Sequence, residues 1–171
     1  MMSQRAFDRL ETSESDSFAV NLKSWSNIMK AYENGGHAYH ATMPTDALAR
    51  LRDAMLETKA FGFAEAKRAQ WALGDAVRAE LAARGAVSVA AEGFGAPGVV
   101  VSYTGDPEVR TGRAFAERGM QIAAGVPLMV GEPEGFSTFR IGLFGLDKLR
   151  DVDATLDRLV PTLDDVLGAP A

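Results

Sequence analysis

The sequence predicts an α+β fold: a small antiparallel or mixed sheet of about four strands with helices on one face, preceded by a helical segment. Two observations lead to this prediction. Up to about residue 84, apolar residues recur at spacings of three and four, which is typical of amphipathic helices. From residue 87 onward, short runs rich in β-branched residues alternate with a helical pattern and are bounded by Gly and Pro.

The individual helices are predicted from their apolar stripes and from their start and stop residues. The first stripe ends before Gly35, a strong stop signal, and Pro44 suits the first turn of the next helix. Asp151 suits the N-cap of the last helix, which Pro161 is expected to kink or to divide into two pieces. The expected helices are 22–32, 44–59, 63–84, 105–118 and 151–166, and the expected strands are 87–91, 99–103, 120–124 and 136–142.

Composition and charge argue against several classes of protein. A chain of 171 residues suits one domain, or one domain with an appended segment. The net charge of -5, without a basic block, argues against nucleic acid as a partner. The chain has no apolar run near the ~18 residues that span a membrane, and no Cys for disulfides, thiolate nucleophiles or zinc–thiolate sites. Residues 1–10 lack the apolar core of a signal peptide, so a cytoplasmic protein is expected.

The most informative stretch is the apolar run around Arg140. Period-two alternation would bury Phe139, Ile141 and Leu143 on one face, and it would leave Arg140 and Gly142 on the other. A guanidinium among apolar neighbours needs an anionic partner, and its planar fork suits a carboxylate held by two parallel hydrogen bonds. Two interpretations remain open on these grounds. Arg140 closes a structural salt bridge at a strand edge, or it binds the carboxylate of a ligand.

The connection formed by residues 35–44 is rich in hydrogen-bonding side chains and lies immediately before a helix. Tyr39 and Thr42 place a phenol and a hydroxyl near a helix N-terminus, where an anion or a phosphate group can bind. Alternatively, Thr42 only caps the helix and Tyr39 packs against it. His37 and His40 suggest a metal, but with two His and no Cys a third ligand would have to be a carboxylate, and no metal site is predicted.

Two segments in combination resemble a known family. Residues 35–44, with the sequence GGHAYHATMP, and residues 139–145, with the sequence FRIGLFG, are similar to motifs of the class V aminotransferases, and within them to the alanine–glyoxylate and serine–pyruvate group. The resemblance extends over essentially the whole chain. It implies the C-terminal domain of a fold type I pyridoxal-phosphate enzyme. Such an enzyme is a homodimer that moves an amino group between a small amino acid (alanine or serine type) and a 2-oxo acid (glyoxylate or pyruvate type).

The resemblance also implies a role for three residues. In the family, the Tyr-x-x-Thr pair, here Tyr39 and Thr42, contacts the cofactor phosphate bound to the other subunit. The Arg of the Arg-Ile-Gly motif, here Arg140, pairs with the carboxylate of the amino-acid or keto-acid substrate. Residues 1–62 would then close the large domain and the dimer interface, and residues 63–171 would form the small domain with its long connecting helix.

The chain departs from the family pattern at the lysine that forms the Schiff base with the cofactor. No lysine of this chain matches that position, so the resemblance implies the C-terminal part of an aminotransferase, inactive and without pyridoxal phosphate when alone. The related cysteine desulfurases need a nucleophilic Cys, which this chain lacks. The alternative from a different class is a non-catalytic dimerisation or carboxylate-sensing module derived from that domain. The lysines compared with the Schiff-base position of the family are Lys23, Lys30, Lys59, Lys67 and Lys148.

Overall fold

The computed structural model describes residues 2–170, which form helices and one small sheet. The chain divides into two compact units, one that ends at Asp53 and one that begins at Ala54. No helix within the described residues combines the length and the apolar character that crossing a lipid bilayer requires. The helices are α1 (Gln4–Leu10), α2 (Leu22–Glu33), α3 (Thr45–Phe61), α4 (Phe63–Ala83), α5 (Pro107–Thr111), α6 (Arg113–Ala116), α7 (Leu146–Leu149) and α8 (Val152–Leu167).

Helices α1 and α2 of the first unit each begin with a side-chain cap. The Ser3 hydroxyl accepts a hydrogen bond from a first-turn amide of α1 at 3.3 Å, and the Asn21 side chain does the same for α2 at 3.0 Å. Helix α2 ends directly before Asn34, as its Gly-rich stop signal predicts. Helix α1 was not predicted, because its 7 residues are too few for an apolar period to be recognised.

The sheet belongs to the second unit and is antiparallel throughout. Strand β3 lies in the middle, with β1 on one side and β2 on the other. Arg140 of β3 is therefore paired on both sides, with Val101 of β1 and with Ala123 of β2. This pairing fixes the backbone of Arg140 at the centre of the sheet. The strands are β1 (Val99–Tyr103), β2 (Ala123–Ala124) and β3 (Thr138–Gly142).

Within residues 2–170 the sheet has three strands, so the prediction of about four strands is corrected. The predicted strand 87–91 does lie beside β1. The Val89 amide donates to the Val101 carbonyl at 3.0 Å, and the Tyr103 amide donates to the Val87 carbonyl at 2.9 Å. These contacts form one isolated bridge, because the chain bends immediately afterwards and leaves too few residues to continue the ladder.

Two helix predictions are also corrected. The expected helix 105–118 is divided into α5 and α6 at Gly112, because its φ of 80° is incompatible with an α-helix. The last helix was expected to be kinked or divided at Pro161, and the division is the part that is corrected, because α8 continues through this residue. Leu159 and Leu163 on either side of the proline are buried, which favours one continuous helix over the loss of one backbone hydrogen bond.

The core of the second unit forms where α4 packs against α8 and against β1. Arg84 at the end of α4 has a side chain only 2% exposed, and it joins the two helices through ion pairs with Glu80 and with Asp164 of α8. The rings of Phe115 and Phe139 stack with centroids 5.9 Å apart. The most deeply buried side chains are Leu73, Val77, Leu81, Val100, Ser102, Val109, Phe115, Thr138, Phe139 and Leu163.

Candidate functional site

Strand β3 presents Arg140 on the face opposite to the core. Phe139, Ile141 and Leu143 are only 1%, 5% and 2% exposed. Arg140 between them is half-buried, and Gly142 is exposed. The observed burial follows the period-two alternation predicted for this run. Arg140 thus projects from the central strand of the sheet, whose backbone is paired on both sides at this residue.

The guanidinium of Arg140 is oriented by a single main-chain contact. Its Nε donates a 2.9 Å hydrogen bond to the carbonyl oxygen of Ala124, the last residue of β2. Among residues 2–170, no carboxylate oxygen lies within 4.0 Å of this guanidinium, so the structural salt bridge is not formed within them. Both terminal nitrogens, Nη1 and Nη2, lack an acceptor in that same range. One edge of the guanidinium is held, and its two-pronged end, a geometry that suits a carboxylate, has no partner among these residues.

The loop from β2 to β3, residues 125–137, leaves the sheet directly after the carbonyl that orients Arg140. Glu132 organises its tip, because its carboxylate accepts a hydrogen bond from the Val130 amide at 3.0 Å. The backbone amide of Glu132 itself, followed by the amides of residues 128–130, lowers the pKa of the Glu132 carboxyl below its ordinary value. Glu132, among the acidic residues nearest to Arg140 in sequence, is thus engaged within its own loop.

We expect the tip of this loop to lose its order at low pH. Because the folded state lowers the pKa of Glu132, the hydrogen bonds to its carboxylate contribute fully above the ordinary value of 4.5 and are lost as the pH falls through the lowered value. The amide chemical shift of Val130, followed by NMR, should therefore titrate below that value. Glu132→Gln should abolish this titration, and Glu134→Gln serves as the control. A Val130 midpoint at or above 4.5 would contradict the assignment.

In the first unit, the structure brings Tyr39 and Thr42 together. The phenol oxygen of Tyr39 lies 3.0 Å from the Thr42 hydroxyl oxygen, and one of the two donates to the other. Tyr39 is 71% exposed, so its ring does not pack into a core. The Thr42 hydroxyl is paired with Tyr39, and α3 begins three residues later at Thr45. The arrangement therefore favours an exposed pair of hydroxyls over a helix cap.

The two histidines contact aromatic side chains of the first unit. Nε2 of His40 lies 2.9 Å from the carbonyl oxygen of Phe18, and the His40 ring lies 4.7 Å from the Phe18 ring and 5.1 Å from that of Trp25. The His37 ring meets the ring of Tyr32 edge-on at 5.7 Å. In the part of the chain that the structure describes, no group of three or more His, Cys, Asp or Glu side chains could hold a metal ion. These aromatic contacts have no signature in the sequence, because they depend on the path of the loop.

Comparison with known proteins relates the fold to solved structures. No family model matches the chain, and no curated protein matches it. The chain is similar to the crystal structure of an alanine–glyoxylate aminotransferase from Nostoc sp., with a TM-score of 0.72 and 21% sequence identity. The match covers 97% of this chain and 42% of that chain, so this chain spans about two fifths of the length of the aminotransferase. The likeness shows the fold, and it confirms the predicted α+β arrangement.

Proposed function

We propose that this chain is the C-terminal part of a class V, pyridoxal-phosphate-dependent aminotransferase. The reaction moves an amino group between a small amino acid of the alanine or serine type and a 2-oxo acid of the glyoxylate or pyruvate type. One observation carries the proposal: Arg140 is held at Nε, and within residues 2–170 its two terminal nitrogens have no acceptor. The fold shared with the aminotransferase from Nostoc sp. supports it.

Arg140 binds the substrate carboxylate end-on in this proposal. Its Nε already donates to the Ala124 carbonyl, so Nη1 and Nη2 are the donors that remain for a ligand. Two parallel hydrogen bonds define both the position and the plane of a carboxylate. A carboxylate fixed in this way limits rotation of the substrate. The bond between the α-carbon and its hydrogen, which must break, is therefore held in a productive direction. Arg140 thereby acts on substrates by orientation, and it transfers no proton itself.

The pair of Tyr39 and Thr42 fits the phosphate group of the cofactor. The two hydroxyl oxygens lie 3.0 Å apart, and each carries one O–H donor. A phosphate dianion offers only acceptors, so when it binds, each hydroxyl can turn its O–H toward it in exchange for their mutual hydrogen bond. The exposure of Tyr39 lets the pair reach a phosphate bound to another subunit. Pyridoxal phosphate, when bound, supplies the electron sink that stabilises negative charge at the substrate α-carbon. The contribution of Tyr39 and Thr42 is to hold the phosphate end of that group in place.

A homodimer also belongs to this proposal, and the surface of α3 supports it. None of the side chains of this helix is buried in the chain. Leu48, Leu51, Met55 and Leu56 on α3 are between 41% and 57% exposed. Exposed apolar side chains that follow one another along a helix usually mark a protein contact. A second subunit, or the remainder of the aminotransferase, would cover this helix.

Removing either hydroxyl should weaken cofactor retention in the complete enzyme. Tyr39→Phe and Thr42→Val each delete a hydrogen bond to a charged group, worth about 1.5–3 kcal/mol, so the Kd of pyridoxal phosphate should rise about 10- to 150-fold. The measurement is a fluorescence titration of the apoenzyme with the cofactor. Tyr32→Phe removes a phenol outside the pair and should leave the Kd unchanged. Parent-like affinity in both pair variants would show that the pair does not bind the phosphate.

The chain alone should form no stoichiometric covalent adduct with pyridoxal phosphate. Three of its lysines are already engaged, because the Lys23 ammonium donates to the Glu11 carbonyl and Lys30 pairs with the Glu11 carboxylate. Lys148 donates to the Phe144 carbonyl. Borohydride reduction in the presence of the cofactor, followed by mass mapping, should yield only scattered, substoichiometric labelling. A single lysine labelled to completion, accompanied by turnover, would contradict the proposal that the nucleophile lies outside this chain.

The proposal as a whole is tested by assaying the complete polypeptide that carries this chain. With pyridoxal phosphate, alanine or serine and glyoxylate or pyruvate, we expect formation of the corresponding 2-oxo acid and amino acid. Substrates that lack a carboxylate should not react. Binding of small carboxylates without any turnover would instead favour the non-catalytic, carboxylate-sensing module.

A further inference from the structure

His40 lies between Tyr39 and Thr42 in the sequence, but its surroundings differ from theirs. Its side chain points toward α2 and the segment before it. We propose that His40 is a positioning residue that holds the Tyr39–Thr42 pair in its hydrogen-bonded geometry. The purpose of that geometry rests on the proposed function, in which the pair binds a phosphate group. The geometry itself rests only on contacts within the first unit.

His40 is held by three contacts. Its Nε2 lies 2.9 Å from the Phe18 carbonyl oxygen, and its ring lies 4.7 Å from the ring of Phe18. The Trp25 ring lies nearly perpendicular to the same imidazole, with ring centroids 5.1 Å apart. Trp25 also donates from its indole nitrogen to the Ala19 carbonyl at 2.9 Å. The segment that receives His40 is therefore itself tied to α2.

The rest of the connection provides few other anchors for the pair. It begins at Gly35, which has a positive φ of 76°, directly after α2 has ended. Tyr39 is 71% exposed and cannot be fixed by its own packing. His37 makes an edge-on contact with the ring of Tyr32, and it is itself an exposed residue. The half-buried His40 is thus the side chain that ties the middle of the connection to the rest of the unit.

The contact with Phe18 specifies one form of the imidazole. A carbonyl oxygen can only accept, so the hydrogen bond requires the proton on Nε2 of His40. In His40→Gln the side-chain amide can also donate to that carbonyl. His40→Phe keeps a ring against Phe18 and Trp25 and has no donor. The two substitutions therefore separate the hydrogen bond from the ring packing.

The test uses the full chain, labelled with ¹⁵N and ¹³C. In the unsubstituted chain, the imidazole ¹⁵N spectrum of His40 should show the tautomer protonated at Nε2. The Tyr39 ring and the Thr42 methyl group should give a nuclear Overhauser effect. We expect His40→Gln to retain that effect and His40→Phe to lose it. His37→Gln is the matched control and should retain it, and urea unfolding reports whether each variant is folded.

Two results would overturn the proposal. One is an undiminished Tyr39–Thr42 effect in folded His40→Phe. The other is a His40 ring protonated at Nδ1 alone, which decides the question even where His40→Phe fails to fold. A titration with inorganic phosphate, followed at the Tyr39 amide, tests the proposed function separately. Equal chemical-shift changes in the parent chain and in Thr42→Val would show that the pair does not bind phosphate. The positioning role of His40 is tested independently of that result, by the tautomer and by the Overhauser effect.

Discussion

Replacing Arg140 by Ala should lower kcat/KM for amino acids and 2-oxo acids by roughly 30-fold to several thousand-fold in the complete enzyme. The reason is that truncating one member of a desolvated charge pair costs about 2–5 kcal/mol. The effect should fall mainly on KM, since Arg140 is proposed to hold the carboxylate and to take no part in proton transfer. Steady-state kinetics with varied amino donor and varied 2-oxo acid measure it.

Two controls make this result specific to the guanidinium. The Kd of pyridoxal phosphate should be unchanged in Arg140→Ala, because the phosphate contacts are proposed for other residues. Arg140→Lys should recover only part of the lost kcat/KM, because an ammonium keeps the charge and loses the fork that defines the carboxylate plane. Unchanged kinetic constants for carboxylate substrates in Arg140→Ala would contradict the proposed role.

Replacing the neighbouring Phe139 by Ala should act mainly on stability, whereas Arg140→Ala acts mainly on substrate binding. Phe139→Ala should destabilise the second unit by about 3–5 kcal/mol. Phe139 is 1% exposed, and its ring stacks on Phe115 with centroids 5.9 Å apart, so truncation leaves a cavity in the core. Arg140→Ala loses one hydrogen bond to a main-chain carbonyl and should cost only about 0.5–1.5 kcal/mol. Urea denaturation of both variants of the full chain measures the two values.

The difference in unfolding free energy between Phe139→Ala and Arg140→Ala tests whether only the core face of β3 stabilises the fold. Ile141→Val, a smaller change on the core face, should cost about 0.5–1.5 kcal/mol and calibrates the measurement. If Arg140→Ala unfolds the chain as readily as Phe139→Ala, then Arg140 has a structural role that its contacts within residues 2–170 do not explain.

The fold was predictable wherever local patterns and packing agree. The alternation around Arg140 predicted its strand and its buried face, and the apolar stripe of α4 predicted a long helix. The sequence-based predictions fail where contacts between residues distant in sequence determine the local structure. The segment 87–91 has strand character, but the chain bends after a single bridge. Pro161 is a helix breaker in isolation, yet α8 continues because the leucines around it are buried.

The sequence suggested which side chains form the candidate site, and it did not indicate what orients them. The spacing of Tyr39 and Thr42 suggested a joint role, and the structure places their hydroxyls within hydrogen-bonding distance. The group that holds Arg140 is the carbonyl of Ala124, and a backbone carbonyl is present at every residue, so it leaves no sequence signal. The contact between His40 and Phe18 joins residues 22 positions apart through a loop that no periodic pattern describes.

The central claim is that the terminal nitrogens of Arg140 bind the substrate carboxylate, and a cycle that changes both partners tests it most directly. Inhibition constants of the complete enzyme and of its Arg140→Ala variant are measured for propanoate and for propanamide, which lacks the charge. We expect propanoate to bind the unsubstituted enzyme much more tightly than propanamide does, and we expect this preference to disappear in Arg140→Ala. The resulting coupling free energy should be about 2–5 kcal/mol. An equal preference for propanoate in both enzymes, which corresponds to no coupling, would contradict it.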